Sequence, residues 1–253
     1  EREISRLVQK RFEERGIDVQ TGKAVVNSET GEIGVKITLA DGSKLSAEKV
    51  LVAIGRRLNN FDLNLEELGI ELENGAIKVN DRMETSCPDI YAVGDVTGGW
   101  ALAHVAAQEG KVAAANAMKN GSVMDYSAVP AAIFIHPEIA SVGKGEEALK
   151  EAGTPYMVGR FPYIANGKAL SMGEEDGFVK VIVSRETKKT LGVHIFGAHA
   201  SDLIAEATLA MKAGCTVEEM VDTIHAHPTL SEILLESWED AEGMAIHKAG
   251  RKG

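Results

Sequence analysis

The sequence is poor in cysteine, and this excludes two kinds of site. Among 253 residues only Cys87 and Cys215 are cysteines, and they lie far apart with no CxxC or similar spacing. A zinc site built on cysteines and a local redox pair both need such a spacing, so neither is encoded. So few cysteines also fit a reducing compartment, and we expect the cytoplasm or, in a eukaryote, the mitochondrial matrix.

An excess of positive charge and long apolar runs are also lacking. There are 27 Lys and Arg residues against 38 Asp and Glu, which gives a net charge of −11. Without a basic stripe we expect no nucleic-acid partner, and solvated acidic faces explain the charge. No apolar run approaches the roughly 18 residues that span a bilayer, so no membrane segment is expected. The sequence starts at Glu1 without Met or a signal-like segment, and we expect it to be part of a larger protein.

What is present indicates an α/β protein. Hydrophobic residues make up 44% and aromatic residues 5% of the chain, a balance typical of Ala-, Val- and Gly-rich α/β folds. Helical spacing predicts a helix over residues 2–15 that stops at Gly16. Strands are predicted at 25–26 and 35–39, with a polar turn at 28–31. The run of residues 49–55, Lys-Val-Leu-Val-Ala-Ile-Gly, predicts a strand buried on both faces.

The remainder divides into two parts with different patterns. A buried strand is predicted at 90–93, and an Ala-rich helix at 102–119. After Tyr126 come strands and then mainly helices, which is typical of an α+β module with an antiparallel sheet. The predicted strands there are 131–135, 139–142, 156–161, 178–183 and 190–196, and the helices are 144–152, 201–213, 217–223 and 230–243. The predicted domains are therefore 1–57, 58–126 and 127–253.

Gly94-Asp95 is a candidate ligand-binding turn. It follows the predicted strand 90–93, and doubly wound sheets bind ligands just beyond the carboxyl ends of their strands. Gly94 would let a ligand approach the backbone, and Asp95 could accept hydrogen bonds from sugar-alcohol hydroxyls. A Gly-Asp pair alone is more often an ordinary turn or a helix cap.

His227 and Glu232 are the candidate acid–base pair. A histidine whose tautomer is fixed by a carboxylate is a common general acid or base. However, Thr229-Leu230-Ser231-Glu232 also has the T-x-x-E spacing of a capping box, in which Glu232 would only start a helix. The spacing leaves both interpretations open.

Three longer segments resemble the pyridine nucleotide–disulfide oxidoreductases, and among them the dihydrolipoamide dehydrogenases most closely. Residues 224–232, Ile-His-Ala-His-Pro-Thr-Leu-Ser-Glu, resemble their C-terminal signature. Residues 85–95, followed by Leu102-Ala103-His104, resemble their second flavin motif. Residues 49–57 resemble the segment that closes their NAD domain. The resemblance implies a remnant of a doubly wound nucleotide-binding domain, followed by an α+β dimerisation domain.

The same resemblance implies roles for individual residues. His227 would exchange protons with a substrate dithiol while Glu232 holds its other nitrogen, and the bond before Pro228 would be cis. His104, His136 and His225 are expected to be structural in their side chains. The FAD contacts implied are Gly94, Asp95, Leu102, Ala103 and His104, and the NAD contacts implied are Ala24, Ala53, Ile54, Gly55 and Arg56. No metal is implied.

The resemblance also implies partners and a missing front half. The domain 127–253 would form a homodimer in which His227 acts on the partner subunit's disulfide. A lipoyl domain of a 2-oxoacid dehydrogenase or glycine cleavage complex would be the macromolecular substrate. Neither a GxGxxG motif nor a redox cysteine pair occurs in the sequence, so we expect a C-terminal half that does not turn over alone. The alternatives are a soluble transhydrogenase, a glutathione- or mercuric-type reductase, and a non-enzymatic dimerisation module.

Overall fold

The computed structural model describes residues 1–248, which form two compact units. One unit is Arg2–Arg57, and the other begins at Leu58 and includes Glu1. The helices are α1 Arg2–Glu14, α2 Ala103–Ala117, α3 Glu146–Glu151, α4 Gly167–Met172, α5 Ala200–Ala213, α6 Val217–Asp222 and α7 Glu232–Ala241. The strands are β1 Val25–Gly31, β2 Gly34–Leu39, β3 Lys44–Ala47, β4 Leu72–Glu73, β5 Ala76–Ile77, β6 Ala131–Ile133, β7 Ile139–Gly143, β8 Tyr156–Pro162, β9 Phe178–Ser184 and β10 Thr190–Phe196.

The unit Arg2–Arg57 consists of α1 and a three-stranded antiparallel sheet in the order β1-β2-β3. The predicted helix and its end near Gly16 are confirmed. The predicted turn at 28–31 is wrong, because these residues belong to β1 and pair with β2, ending at Gly31 opposite Gly34. At Gly34 φ is +150°, and a Cβ would lie 2.5 Å from the carbonyl oxygen of Ala47. This close approach needs glycine, and the turn lies at residues 32–33, directly after the predicted one.

Residues 49–55 do not form the predicted buried strand. They carry no strand assignment, and all of them are exposed, with Leu51 at 91% and Ile54 at 95%. A strand buried on both faces needs a hydrogen-bonded neighbour and cover on each face. Among the described residues, the sheet of this unit contains β1, β2 and β3 alone, so the run is left unpaired.

Residues 90–93 are also not a strand, although they are largely shielded from solvent. Tyr91 forms an isolated bridge with Glu84, and the Ala92 N–H donates to the Met83 carbonyl at 3.2 Å. The side chains of this segment pack into two small apolar clusters, so they are shielded from solvent without belonging to a sheet. A 3-10 turn at Gly94–Thr97 follows, and the predicted long helix is present as α2.

The largest sheet has five antiparallel strands in the order β6-β7-β10-β9-β8. This confirms the antiparallel sheet with helices that the sequence predicted for the second half. Helices α5 and α7 pack on it, and Val181, Ile195 and Trp238 are completely buried in the shared core. At Gly159 a Cβ would lie 1.8 Å from the carbonyl oxygen of Ser237, so the absence of a side chain lets α7 lie directly on β8.

One helix of the second unit was not predicted. Helix α4 is short and begins after Asn166, whose side chain accepts a hydrogen bond from the Ala169 N–H at 2.9 Å. Its six residues are too few to show a periodic pattern. The contacts divide the chain at residue 57, and the three-part division at 57 and 126 stays a prediction. No helix within residues 1–248 is long and apolar enough to cross a membrane.

Candidate functional site

The candidate site lies in the loop that joins α6 to α7. The loop begins after α6, whose N-terminus is fixed by a capping box between Thr216 and Glu219. The peptide bond between His227 and Pro228 is cis, which confirms the prediction. The His227 side chain is 78% exposed. The loop therefore presents an imidazole to solvent instead of burying it.

Glu232 contacts His227 and the loop backbone with different oxygens. Its Oε1 is 2.8 Å from His227 Nδ1, and its Oε2 accepts the Thr229 N–H at 2.8 Å. The two interpretations of the sequence are thus met together by one carboxylate. The capping box is incomplete, however, because the Thr229 hydroxyl donates to the Ala226 carbonyl at 2.6 Å. The Glu232 carboxylate therefore orients the His227 imidazole with one oxygen and fixes the backbone at Thr229 with the other.

The electrostatics of Glu232 fix the tautomer of His227. Partial burial raises the pKa of Glu232, but the hydrogen bonds from the Thr229 N–H and from His227 outweigh it and lower the pKa below its usual value. An ionised carboxylate only accepts hydrogen bonds, so Nδ1 of His227 must be the donor. Nε2 then carries the lone pair of the neutral ring, and that lone pair is available to a proton from outside.

Two residues that sequence reasoning did not single out for this site hold the loop. His225, predicted to be structural, is 5% exposed in its side chain; its Nδ1 lies 2.9 Å from the Thr223 carbonyl and its Nε2 2.8 Å from Glu206 Oε1. Asn166 donates to the Thr229 carbonyl at 3.1 Å. Glu206 lies on α5 and Asn166 directly before α4, and no local spacing signals either contact.

α7 is fixed beneath the site by its buried face. Ile233, Leu234 and Trp238 are fully buried, and the Trp238 indole N–H donates to Thr190 Oγ1 at 3.1 Å. Glu232 is the first residue of α7. The packing of that helix therefore also fixes the backbone position of the carboxylate that holds His227.

The predicted flavin segment has a defined turn and an open helix start. Gly94 has φ +76° and donates its N–H to Glu109 Oε2 at 2.6 Å, and Thr97 donates to the Gly94 carbonyl at 2.9 Å. No side chain of the described residues caps the N-terminus of α2, which begins at Ala103 directly after Leu102. Such a start leaves backbone N–H groups for a ligand that carries negative charge. Glu109 is a site residue that sequence reasoning missed.

His104 lies at this helix start without offering its side chain to a ligand. Its Nε2 is 2.8 Å from the carbonyl of Pro130, a partner that lies 26 residues further along the chain. His136 was interpreted as a turn and core residue; it lies in a turn but is exposed, and the following Pro137 is buried in its place. Within residues 1–248 no group of three metal-binding side chains is found.

The predicted NAD contacts lie in the unit Arg2–Arg57. Ala24 is exposed, and its carbonyl accepts the Ala40 N–H at 2.9 Å beside the start of β1. Ala53, Ile54, Gly55 and Arg56 lie in the exposed run. Gly55 has φ +136°, and no atom lies within 4 Å of where its Cβ would be. The structure leaves the backbone of this run accessible, and its contact with NAD stays a prediction.

Comparisons with known proteins place the chain in a family. The family described as pyridine nucleotide-disulphide oxidoreductase matches residues 1–110, and its dimerisation domain matches residues 129–238. The dihydrolipoyl dehydrogenase of Geobacillus stearothermophilus is 43% identical over 98% of this chain and 53% of its own length. That of Bacillus subtilis is 41% identical over 98% of this chain and 54% of its own length.

Solved structures agree with these relatives. LpdA of Mycobacterium tuberculosis has a TM-score of 0.86 at 30% identity, covering 92% of this chain and 51% of its own. The Cu(II) complex of the HOCl-induced flavoprotein disulfide reductase RclA of Escherichia coli has a TM-score of 0.88 at 26% identity, covering 94% and 55%. The chain thus spans about half the length of the relatives it matches. It belongs to the pyridine nucleotide-disulphide oxidoreductase family.

Proposed function

We propose that the chain is the C-terminal part of a dihydrolipoyl dehydrogenase, an NAD-dependent flavoprotein that converts dihydrolipoamide and NAD⁺ to lipoamide, NADH and a proton. The observation that carries the proposal is the exposed His227 imidazole, held through Nδ1 by Glu232 at 2.8 Å. The names of the relatives over almost the whole chain support the same activity.

His227 and Glu232 provide the proton chemistry. Nε2 of His227 takes the proton of a dithiol S–H, which leaves a thiolate, and it returns the proton when the reaction runs backwards. Glu232 keeps Nδ1 protonated and stabilises the imidazolium that forms. The redox disulfide that the thiolate attacks is not formed by this chain's cysteines, since Cys87 and Cys215 are both free.

The flavin segment fits FAD in the chemistry of its groups. Asp95 would accept hydrogen bonds from sugar-alcohol hydroxyls. The backbone N–H groups of Ala103 and His104 would stabilise negative charge on a reduced ring, while that of Leu102 donates to the Trp100 carbonyl at 2.9 Å. Ala24 and residues 53–56 would contact NAD. When bound, FAD supplies the two-electron step between the disulfide and NAD⁺.

The proposed partners are a second copy of the chain and a lipoyl domain. Residues 127–253 would form the homodimer, and large apolar side chains exposed on this part support it: Phe134 is 80%, Leu209 69% and Ile224 97% exposed. Leu209 and Ile224 line the same surface groove, and contiguous apolar patches are typical of surfaces that bind another protein. The lipoyl domain would belong to a 2-oxoacid dehydrogenase or glycine cleavage complex, and the cytoplasm is the expected compartment.

The proposal is tested in the complete gene product that contains these residues. We expect flavin absorbance, lipoamide-dependent NADH formation, and a loss of about 10²- to 10⁴-fold in kcat for His227→Asn, because a general acid–base is removed. His199→Asn is the matched control, since His199 is exposed and its left-handed backbone suits asparagine. A protein that binds no flavin would favour the dimerisation module, and full activity in His227→Asn would exclude the proposed mechanism.

A further inference from the structure

We infer that Glu109 is a positioning residue for the flavin site, because it locks the Gly94-Asp95 turn to the helix whose N-terminus faces the same ligand. This inference rests on the proposed function. Glu109 lies on α2 and is 1% exposed. Its Oε2 accepts the Gly94 N–H and its Oε1 accepts the Tyr126 hydroxyl, each at 2.6 Å.

The burial of this carboxylate needs an explanation. An unpaired carboxylate in the interior is strongly unfavourable, and it becomes tolerable when donors occupy both oxygens. The Gly94 N–H can only donate a hydrogen bond. Burial raises the pKa of the Tyr126 hydroxyl, and the hydrogen bond to Glu109 raises it further, so the phenol also remains a donor. The Glu109 carboxylate is thus held by two hydrogen bonds, one to each oxygen.

The consequence for the flavin site follows from where these partners lie. Asp95 is the next residue after Gly94, so the direction of its side chain depends on the orientation of the Gly94 peptide. The residues that start α2 lie less than two helical turns before Glu109. One buried side chain therefore fixes the spacing between the carboxylate that would hold the sugar chain and the N–H groups that would face the ring.

Close packing between the Gly94-Asp95 turn and α2 also restricts the position of the turn. A Cβ on Gly94 would lie 3.2 Å from Ala106 Cβ, so the turn rests directly on α2. At φ +76° the Gly94 backbone is one that other residues rarely adopt. Loss of the Glu109 hydrogen bond would let this turn relax, with a direct effect on the position of Asp95.

The test measures FAD affinity in the complete gene product. We expect Glu109→Ala to weaken FAD binding about tenfold or more, because a buried N–H loses its acceptor. Glu109→Gln should bind FAD within about threefold of the wild type, because its amide oxygen still accepts from Gly94. Tyr126→Phe should lie between them. Glu151→Ala is the matched control at an exposed position and should change nothing.

Hydrogen exchange of the Gly94 amide, measured in this chain without flavin, provides an independent reading. It should be faster in Glu109→Ala and unchanged in Glu109→Gln and Glu151→Ala. A folded Glu109→Ala protein that binds FAD as tightly as the wild type overturns the inference. If Glu109→Ala does not fold, a Glu109→Gln protein that loses FAD while Gly94 stays protected also overturns it. A wild-type protein without flavin overturns the proposed function as well, and Gly94 exchange then shows whether the contact itself exists.

Discussion

Residues 49–55 and β9 have similar sequences and opposite structures. Lys-Val-Leu-Val-Ala-Ile-Gly is exposed and unpaired, whereas Phe-Val-Lys-Val-Ile-Val-Ser of β9 is buried at all seven positions. The difference lies in the neighbours. β9 is paired with β8 on one side and β10 on the other, and α7 packs against it. An apolar run thus predicts that burying the segment would be favourable. The run itself does not specify which strands and helices would bury it.

Amide hydrogen exchange gives the largest expected contrast between these two segments. β9 lies inside the sheet, with β8 on one side and β10 on the other, so its amides should exchange only through opening of the whole unit. We expect them to be at least about 1000-fold more protected than those of residues 49–55. Protected amides over 49–55 in this chain would contradict the unpaired structure. Protection that appears only in the complete gene product would show that a partner strand comes from elsewhere.

A matched pair of valine substitutions sharpens the same contrast. Val181 in β9 is 0% exposed and Val52 is 70% exposed. We expect Val181→Ala to lower the free energy of unfolding by about 2 kcal/mol, since it removes buried methyl groups and leaves a cavity. Val52→Ala should change it by less than about 0.5 kcal/mol. Chemical denaturation of both variants gives the numbers, and equal effects would mean that Val52 is buried in solution.

The comparison also shows which predictions a sequence can support. Strands β8, β9 and β10 were predicted within one or two residues, because turn residues delimit apolar runs that do become paired. The strand predicted at 90–93 failed for the opposite reason, since Tyr91 finds a single bridge with Glu84 and no ladder. Pairing is a property of the whole fold, and one segment cannot specify it.

The candidate site divides in the same way. His227 and Glu232 were predicted because they lie five residues apart, and local chain geometry brings them together. Asn166 and Glu109 were missed, because their partners Thr229 and Gly94 are reached through tertiary packing. Groups that perform chemistry carry recognisable spacing, whereas groups that hold them are selected by position in space.

The smallest expected effect is on the pH dependence of stability, and it comes from His194 in β10. It tests how unfavourable a charged side chain is in the buried sheet that contains β9. His194 is 4% exposed, with Nε2 3.2 Å from the Lys144 carbonyl and Nδ1 3.0 Å from Ser141 Oγ. Burial lowers the pKa of His194 from its usual 6.5 and outweighs the Lys144 carbonyl and the Glu1 carboxylate, which raise it. Between the two pKa values the unfolded chain binds a proton that the folded chain does not, so stability falls as the pH drops below about 6.5.

The acid-induced loss from His194 cannot exceed about 1.4 kcal/mol per pH unit, and it ends once the folded protein is itself protonated. The contribution is complete above pH 6.5, where both states are neutral. Thermal unfolding of the wild type and His194→Gln from pH 7.5 to 5 should show a shallower decline for the variant. Because the exposed His199 is the matched histidine, His199→Gln should keep the wild-type slope. Parallel curves for all three proteins would contradict the lowered pKa of His194, because protonating its buried imidazole would then cost no stability.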